Sequence, residues 1–180
     1  VALRTADGEH SYQELLDRSA TLAGVLLEAD ADLSESRVAC LIPAGFDYVS
    51  VQWAVWRAGG VAVPLSLSAT EPELEYTLTD SQSRCVVTTR ELASKVEPLC
   101  SRLNLRRLIV EEIGSGEERP LPSVGPQRRA MILYTSGTTS TPKGVVTTHA
   151  SIQAQIESLV EAWRWQPDDT IPLFLPLHHI

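Results

Sequence analysis

The sequence lacks the features that mark several common classes of protein. No apolar run approaches the roughly 20 residues that a membrane-spanning helix needs, which argues against a membrane span. Basic residues are scattered and the net charge is -8, so nonspecific binding to nucleic acid, which depends on clustered lysine and arginine, is disfavoured. The three cysteines, Cys40, Cys85 and Cys100, form no Cys-x-x-Cys pair, which argues against a zinc site or a disulfide framework. We interpret them as buried free thiols.

What the sequence contains is typical of a globular domain with a core. Its 180 residues are 43% hydrophobic and 21% charged, a balance that is ordinary for a soluble domain and argues against disorder. The sequence begins with Val1 rather than methionine and ends at Ile180, directly after an apolar run. We therefore expect a piece of a longer protein, which leaves the compartment and the oligomeric state open.

Hydrophobic periodicity predicts an alternation of helices and strands. Ser11 stands three residues before Glu14 and ahead of apolar residues at helical spacing, which indicates a capping box that opens a helix. Further helices are predicted over residues 46–58, 71–80, 91–103 and 149–163. Short apolar runs predict strands over residues 38–42, 61–63, 85–89, 108–110, 130–134, 145–146 and 171–175. Strands that alternate with helices in this way predict an α/β architecture with a largely parallel sheet.

The same pattern divides the chain into three segments. Residues 111–129 are rich in glycine, proline, serine and charged side chains, and we predict that they form an exposed linker. The linker separates an N-terminal α/β subdomain, residues 1–110, from residues 130–180. The last segment is predicted to contain a strand, a polar glycine-containing loop, a strand, a helix and a strand, and to be incomplete at Ile180.

A loop suited to polyphosphate follows the predicted strand at 130–134. Residues 135–144 carry six hydroxyl side chains, two glycines and one lysine. Backbone N–H groups and hydroxyls can donate to phosphoryl oxygens, glycine permits close approach, and Lys143 supplies a positive charge. Pro142 fixes the backbone just before that lysine.

Other interpretations of this loop fit less well. The P-loop motif, Gly-x-x-x-x-Gly-Lys-Ser/Thr, has a glycine before its lysine, where this sequence has Pro142, and a hydroxyl residue after it, where this sequence has Gly144. The Rossmann pattern Gly-x-Gly-x-x-Gly is absent. A surface turn rich in serine and threonine is the simplest alternative, but it would not require this order of glycine, hydroxyls, proline and lysine.

The loop resembles the signature of a known superfamily. Residues 134–145 read YTSGTTSTPKGV, which is similar to Tyr-Thr-Ser-Gly-Thr-Thr-Gly-x-Pro-Lys-Gly of the adenylate-forming enzymes: acyl-CoA synthetases, peptide-synthetase adenylation domains and luciferases. One fixed position departs, because Ser140 replaces a glycine. If that position needs a positive φ, the replacement costs on the order of 1 kcal/mol.

Four further stretches resemble elements of the same superfamily, in the same order along the chain. They are HSYQEL at 10–15, RAGGVAVPL at 57–65, LEYTLTDS at 74–81 and LPLHH at 175–179. The resemblance therefore spans nearly the whole chain and implies part of the large N-terminal domain of such an enzyme. Within the acyl-CoA synthetases it is nearest to the malonyl-CoA synthetases.

The resemblance implies an enzyme that joins a carboxylate to AMP with loss of pyrophosphate and then passes the acyl group to the thiol of coenzyme A. It implies ATP, Mg²⁺ and coenzyme A as reaction partners, malonate or methylmalonate as the acid, and the mitochondrial matrix as the compartment. Binding of the β- and γ-phosphates is implied for Thr135, Ser136, Gly137, Thr138, Thr139, Ser140, Thr141, Pro142 and Lys143. Lys143 would also act in catalysis as a mobile counter-charge, and His179 would gate between the carboxylate and thiol sites.

Two alternatives stay open. The enzyme could be a fatty-acyl ligase or a peptide-synthetase adenylation domain, or the chain could be a noncatalytic nucleotide-binding remnant. The family elements that hold adenine and ribose, the hinge and a C-terminal catalytic lysine are expected beyond Ile180. We therefore predict that this chain alone does not complete adenylation.

Overall fold

The computed structural model describes residues 1–114, 119–135 and 142–178. Its first helix, α1 (Tyr12–Leu27), begins at the predicted capping box. Ser11 Oγ accepts a hydrogen bond from the Glu14 N–H at 3.2 Å, and the Glu14 carboxylate accepts one from the Ser11 N–H at 2.7 Å. Before this helix, β1 (Leu3–Thr5) and β2 (Gly8–His10) form an antiparallel hairpin. The hairpin was not predicted, because strands of three residues are too short to show an alternation.

A six-stranded sheet forms the centre of the fold. Its strands are β3 (Arg37–Leu41), β4 (Val61–Pro64), β5 (Ser83–Thr88), β6 (Arg106–Ile109), β7 (Arg129–Thr135) and β8 (Lys143–Thr148). They are ordered β6-β5-β3-β4-β7-β8, and each neighbouring pair is parallel except β7 and β8. The predicted α/β architecture with a largely parallel sheet is confirmed. Because β4 pairs with β7, residues 1–110 and residues 130–180 both contribute strands to this sheet. The predicted division of the chain by a linker at 111–129 stays a prediction.

Helices cover both faces of this sheet. Besides α1, the helices of the fold are α2 (Phe46–Arg57), α3 (Glu71–Asp80), α4 (Ala93–Leu103) and α5 (His149–Trp163), with a short 3₁₀ helix at Val110–Glu112. The apolar sides of α1 and α2 pack on one face, and those of α3 and α4 pack on the other. Burial on both faces explains why the central strands are almost continuously apolar.

The cysteines lie within these two layers of packed side chains. Cys40 and Cys85 belong to the layer beneath α1 and α2, and Cys100 belongs to the layer beneath α3 and α4. Burial raises the pKa of the Cys85 thiol to about 12 and also raises the pKa of Cys40. The prediction of buried free thiols is confirmed.

The predicted strand over residues 171–175 is wrong. That segment has no strand conformation, and the side chains of Ile171, Phe174 and Leu175 are exposed. A strand needs a partner for its backbone N–H and C=O groups, and none of the described strands lies alongside this segment. The other predicted elements lie within a residue or two of their predicted bounds. No helix within the described ranges is long and apolar enough to cross a membrane.

Where it is described, the predicted linker is exposed over much of its length but fixed at particular residues. Leu121 packs against the core beneath α1 and α2. Arg128 donates to both carboxylate oxygens of Asp32, at 2.6 and 2.9 Å. Arg129, where β7 begins, forms an ion pair with Glu35 at 2.5 Å. The segment that leads into β7 is therefore held against the turn between α1 and β3.

Candidate phosphate-binding site

The two ends of the predicted phosphate loop meet at the carboxyl edge of the sheet. β4 and β7 are parallel neighbours, so their carboxyl ends lie at the same edge. β8 then returns antiparallel to β7, and Thr135 at the end of β7 is paired with Lys143 at the start of β8. The carboxyl edge of parallel strands is the usual place for ligands in open α/β sheets. The topology thus presents the mouth of the loop at a favourable edge.

The structure describes three of the predicted site residues. Thr135 and Lys143 are exposed, and Pro142 is half-buried. Residues 136–141 and His179 lie outside the described residues, and their roles stay predictions. Within the part of the chain that the structure describes, no acidic group forms an ion pair with Lys143.

Two side chains of α3 contact residues that flank the loop. The Tyr76 hydroxyl donates to the Pro142 carbonyl at 2.9 Å, and the Tyr134 hydroxyl donates to Asp80 Oδ2 at 2.6 Å. The two tyrosine rings meet edge to face, with their centroids 6.3 Å apart. Burial raises the pKa of Tyr134, and the hydrogen bond to Asp80 raises it further by a smaller amount. The Tyr134 hydroxyl therefore stays protonated and can donate.

Tyr76 and Asp80 were not predicted as site residues. Both belong to the stretch at 74–81 that resembles a family element, but that resemblance gave them no role. Their partners lie 66 and 54 positions away in the sequence. Spacing along the chain carries no signal for contacts of this kind, because they depend on the packing of α3 against the end of β7.

A pocket of about 300 Å³ opens beside these contacts. It is bounded by the carboxyl end of β4, the loop after it, one side of α3 and the flanks of the phosphate loop. The lining residues are Pro64, Leu65, Ser66, Ser68, Ala69, Glu73, Leu74, Thr77, Tyr134, Pro142 and His178. The Glu73 carboxylate is already engaged, because it accepts from the Thr70 N–H at 2.7 Å and caps α3, which lowers its pKa.

The donors at this edge suit phosphate better than a protein-bound metal ion. The Thr135 hydroxyl and the Lys143 ammonium can both donate to phosphoryl oxygens. The described residues include no group of three or more histidine, cysteine, aspartate or glutamate side chains that could hold a metal. Mg²⁺ commonly binds through substrate phosphates and water, and at this site it would be held mainly by the phosphate oxygens of a nucleotide.

His149 is not brought to this edge. It is the first residue of α5 and packs edge to face against Trp56, with ring centroids 5.7 Å apart. Burial lowers the pKa of its imidazole, and Nε2 has no hydrogen-bond partner among the described residues. The neutral ring therefore acts in packing.

Comparison with known proteins identifies the family. The whole chain, residues 1–180, matches the family described as AMP-binding enzyme. The chain belongs to the AMP-binding enzyme family. It is 41% identical over 191 residues to the mitochondrial malonate–CoA ligase of Mus musculus and 40% identical over 191 residues to that of Homo sapiens. Both alignments cover 100% of this chain and 33% of the relative, so the chain spans about a third of the length of these curated relatives.

Solved structures of the family share the fold. Apo MatB from Rhodopseudomonas palustris matches with a TM-score of 0.88 and 29% identity, covering 99% of this chain and 38% of that one. ATP-bound MatB from the same organism matches with a TM-score of 0.84 and 28% identity, covering 98% and 37%. The predicted family and the predicted fold are both confirmed.

Proposed function

We propose that this chain is the phosphate-holding part of an acid–thiol ligase, which activates a carboxylic acid with ATP and transfers the acyl group to coenzyme A. The observation that carries the proposal is the β7–β8 hairpin, whose register places Thr135 opposite Lys143 at the carboxyl edge of the sheet. An ammonium that forms no ion pair among the described residues, beside a hydroxyl at such an edge, suits a polyanion. Membership of the AMP-binding enzyme family supports a nucleotide as that polyanion.

The first step of the proposed reaction sets the task of these residues. A carboxylate oxygen attacks the α-phosphorus of ATP, and the bond to pyrophosphate breaks. Two anions must approach each other, so charge neutralisation and positioning supply most of the rate enhancement. Lys143 would neutralise charge on the β- and γ-phosphates, and Thr138 and Thr139 would donate to their oxygens. In the second step the thiol of coenzyme A attacks the acyl carbon, and AMP leaves.

The names of the relatives support a finer proposal for the substrate and the compartment. The Mus musculus and Homo sapiens relatives are named malonate–CoA ligases and mitochondrial. We propose malonate or methylmalonate as the acid and the mitochondrial matrix as the location. His179 is proposed to gate between the acid and thiol sites.

Lys143→Ala tests the phosphate-binding role. The loss of a charge-assisted contact should weaken Mg·ATP binding about tenfold or more, as measured by titration calorimetry. The melting temperature should stay close to that of the parent chain, because Lys143 is exposed and forms no ion pair among the described residues.

Arg4→Ala is the matched control. It removes one positive charge from an exposed ion pair with Glu9 in the first hairpin, so it changes the net charge by the same amount. We expect it to leave ATP affinity unchanged. Equal ATP affinity in the Lys143 variant and the parent would contradict the proposed function.

A further inference from the structure

Helix α3 reaches both flanks of the phosphate loop from a single side. Tyr76 and Asp80 are one helical turn apart, so their side chains project in the same direction. Tyr76 bonds the Pro142 carbonyl at 2.9 Å, and Asp80 accepts from the Tyr134 hydroxyl at 2.6 Å. One rigid element therefore holds the residue before the loop and a residue at its end.

The contact with Pro142 restricts the backbone where the chain enters β8. The proline ring fixes φ and leaves the residue without an N–H, so its carbonyl is its one backbone group that can form a hydrogen bond. The Tyr76 hydroxyl fixes the direction of that carbonyl and thereby restricts ψ of Pro142. The position of the next residue, Lys143, follows from these two constraints.

The contact between Asp80 and Tyr134 is not explained by helix energetics. Asp80 is the last residue of α3, where the helix dipole disfavours a negative charge, and the last turn contains no basic residue. The Tyr134 hydroxyl gives this carboxylate a partner from outside the helix.

Gly144 gives the Tyr134 ring the room that this contact requires. A Cβ atom at position 144 would lie 3.2 Å from Tyr134 Cζ and 2.9 Å from Ile132 Cγ2. Both distances are shorter than side-chain contacts normally allow. A glycine directly after the lysine therefore lets the tyrosine ring lie against the backbone of β8 and reach α3.

We propose that Tyr76 and Asp80 are positioning residues that fix the two ends of the loop in the geometry that binds the polyphosphate of a nucleoside triphosphate. This inference rests on the proposed function of the same loop. Preorganisation of this kind strengthens binding, because the ligand does not have to fix the positions of the two loop ends itself.

Tyr76→Phe tests the contact at Pro142. Hydrogen exchange of the amides at residues 143–145, measured on the unliganded 180-residue chain, should become about five- to tenfold faster, as expected for the loss of one hydrogen bond. Mg·ATP affinity, measured by calorimetry, should fall by a similar factor. Exchange in strand β5, which is three strands away from β7 in the sheet, should stay as in the parent, because the change is confined to the loop.

Tyr48→Phe is the matched control. Its hydroxyl also donates to a backbone carbonyl, that of Leu177 at 3.1 Å, but it lies on α2 at the other face of the sheet. This variant should leave exchange at 143–145 and the affinity for Mg·ATP unchanged.

A graded series at Asp80 separates positioning from general stability. Asparagine keeps a neutral acceptor for the Tyr134 hydroxyl and alanine removes it, and charge-assisted hydrogen bonds are about twice as strong as neutral ones. Exchange at residues 134–135 and 143–145 should therefore rise in the order parent, Asp80→Asn, Asp80→Ala. ATP affinity should fall in the same order.

Three results would overturn the inference. They are unchanged exchange at the loop ends, an equal rise of exchange throughout the sheet, and faster exchange at the loop ends with unchanged ATP affinity. If the parent chain itself fails to bind Mg·ATP, the proposed function is wrong. The exchange measurements then decide separately whether α3 fixes the ends of the loop.

Discussion

At the scale of single residues, Gly59 shows how one backbone conformation can hold distant segments together. It follows the end of α2 and has a φ of +77, in the left-handed region that favours glycine. Its carbonyl accepts from the Glu35 N–H at 2.8 Å and from Arg128 Nη2 at 2.5 Å. A Cβ at this position would overlap Asp32 Oδ1 and lie 2.8 Å from Arg128 Nη2.

We expect Gly59→Ala to lower the free energy of unfolding by about 2 kcal/mol, from roughly 1 kcal/mol of backbone strain and a similar loss in the displaced ion pair. Urea denaturation would measure the change. Gly125→Ala is the control, because a Cβ there meets no atom within 4 Å and the residue has no positive φ. Equal urea midpoints for the Gly59 variant and the parent would contradict the strain argument.

At the scale of single elements, α4 contains a proline inside the helix. Pro98 is exposed, and its missing N–H cannot bond the carbonyl of Ser94 one turn earlier. The apolar side of α4 nevertheless packs in the core through Val96 and Leu99. Tertiary packing therefore maintains a helix that local propensity disfavours.

Pro98→Ala should raise the free energy of unfolding by about 1–2 kcal/mol. An interior proline disfavours a helix by roughly 3 kcal/mol relative to alanine, and part of this gain is offset because alanine restores freedom to the unfolded chain. Urea denaturation would measure this change. Ser94→Ala is the control, because this exposed substitution on the same helix should raise the free energy of unfolding by only about 0.5 kcal/mol or less. A lower midpoint for the Pro98 variant would show that the ring makes a stabilising contact.

Local signals explain which elements the sequence could predict. The capping box at Ser11 and the apolar runs between turn residues predicted α1 and the central sheet, because those elements depend on neighbours in sequence and on burial at both faces. Residues 171–175 are as apolar as a buried strand, but strand formation also needs a partner, and periodicity does not report one. The contacts of Tyr76 and Asp80 could not be predicted for the same reason, since their partners lie 66 and 54 positions away.

At the scale of the whole molecule, two ion pairs join the turn after α1 to the start of β7. The hydrogen bond from Arg128 lowers the pKa of Asp32, and that from Arg129 lowers the pKa of Glu35. The partners lie 96 and 94 positions apart, so these contacts close the largest loops among the ion pairs of the described residues. The strength of these two ion pairs should therefore affect how firmly the segment that carries β7 and β8 is held against the N-terminal part of the chain.

This arrangement predicts how stability depends on pH. Both carboxylates have lower pKa values in the folded than in the unfolded chain, where they are about 4. The stability that they contribute is therefore complete above about pH 5 and is lost as the pH falls through 4 towards the folded values. The double variant Asp32→Asn, Glu35→Gln should be less stable at neutral pH and should lose less stability on acidification.

Urea denaturation at about pH 7, 5 and 3 would measure this effect. Glu9→Gln removes a carboxylate from the exposed pair with Arg4, and it should change the stability at neutral pH by less than about 0.5 kcal/mol. An acid-induced loss of stability in the double variant as large as that in the parent would refute the assignment to these two carboxylates.

The two contacts of α3 also have a consequence for how this loop can vary among relatives. Loops between strands usually tolerate insertions, because each added residue costs little closure entropy. Here Tyr134 and Pro142 are both tied to one helix and Lys143 pairs with Thr135, so a change of loop length that displaced either end would have to break one of these contacts. A shift of one residue would also turn alternate side chains of β8 to the opposite face. We expect evolution to have exchanged side chains in this loop, as at Ser140, while leaving its length unchanged.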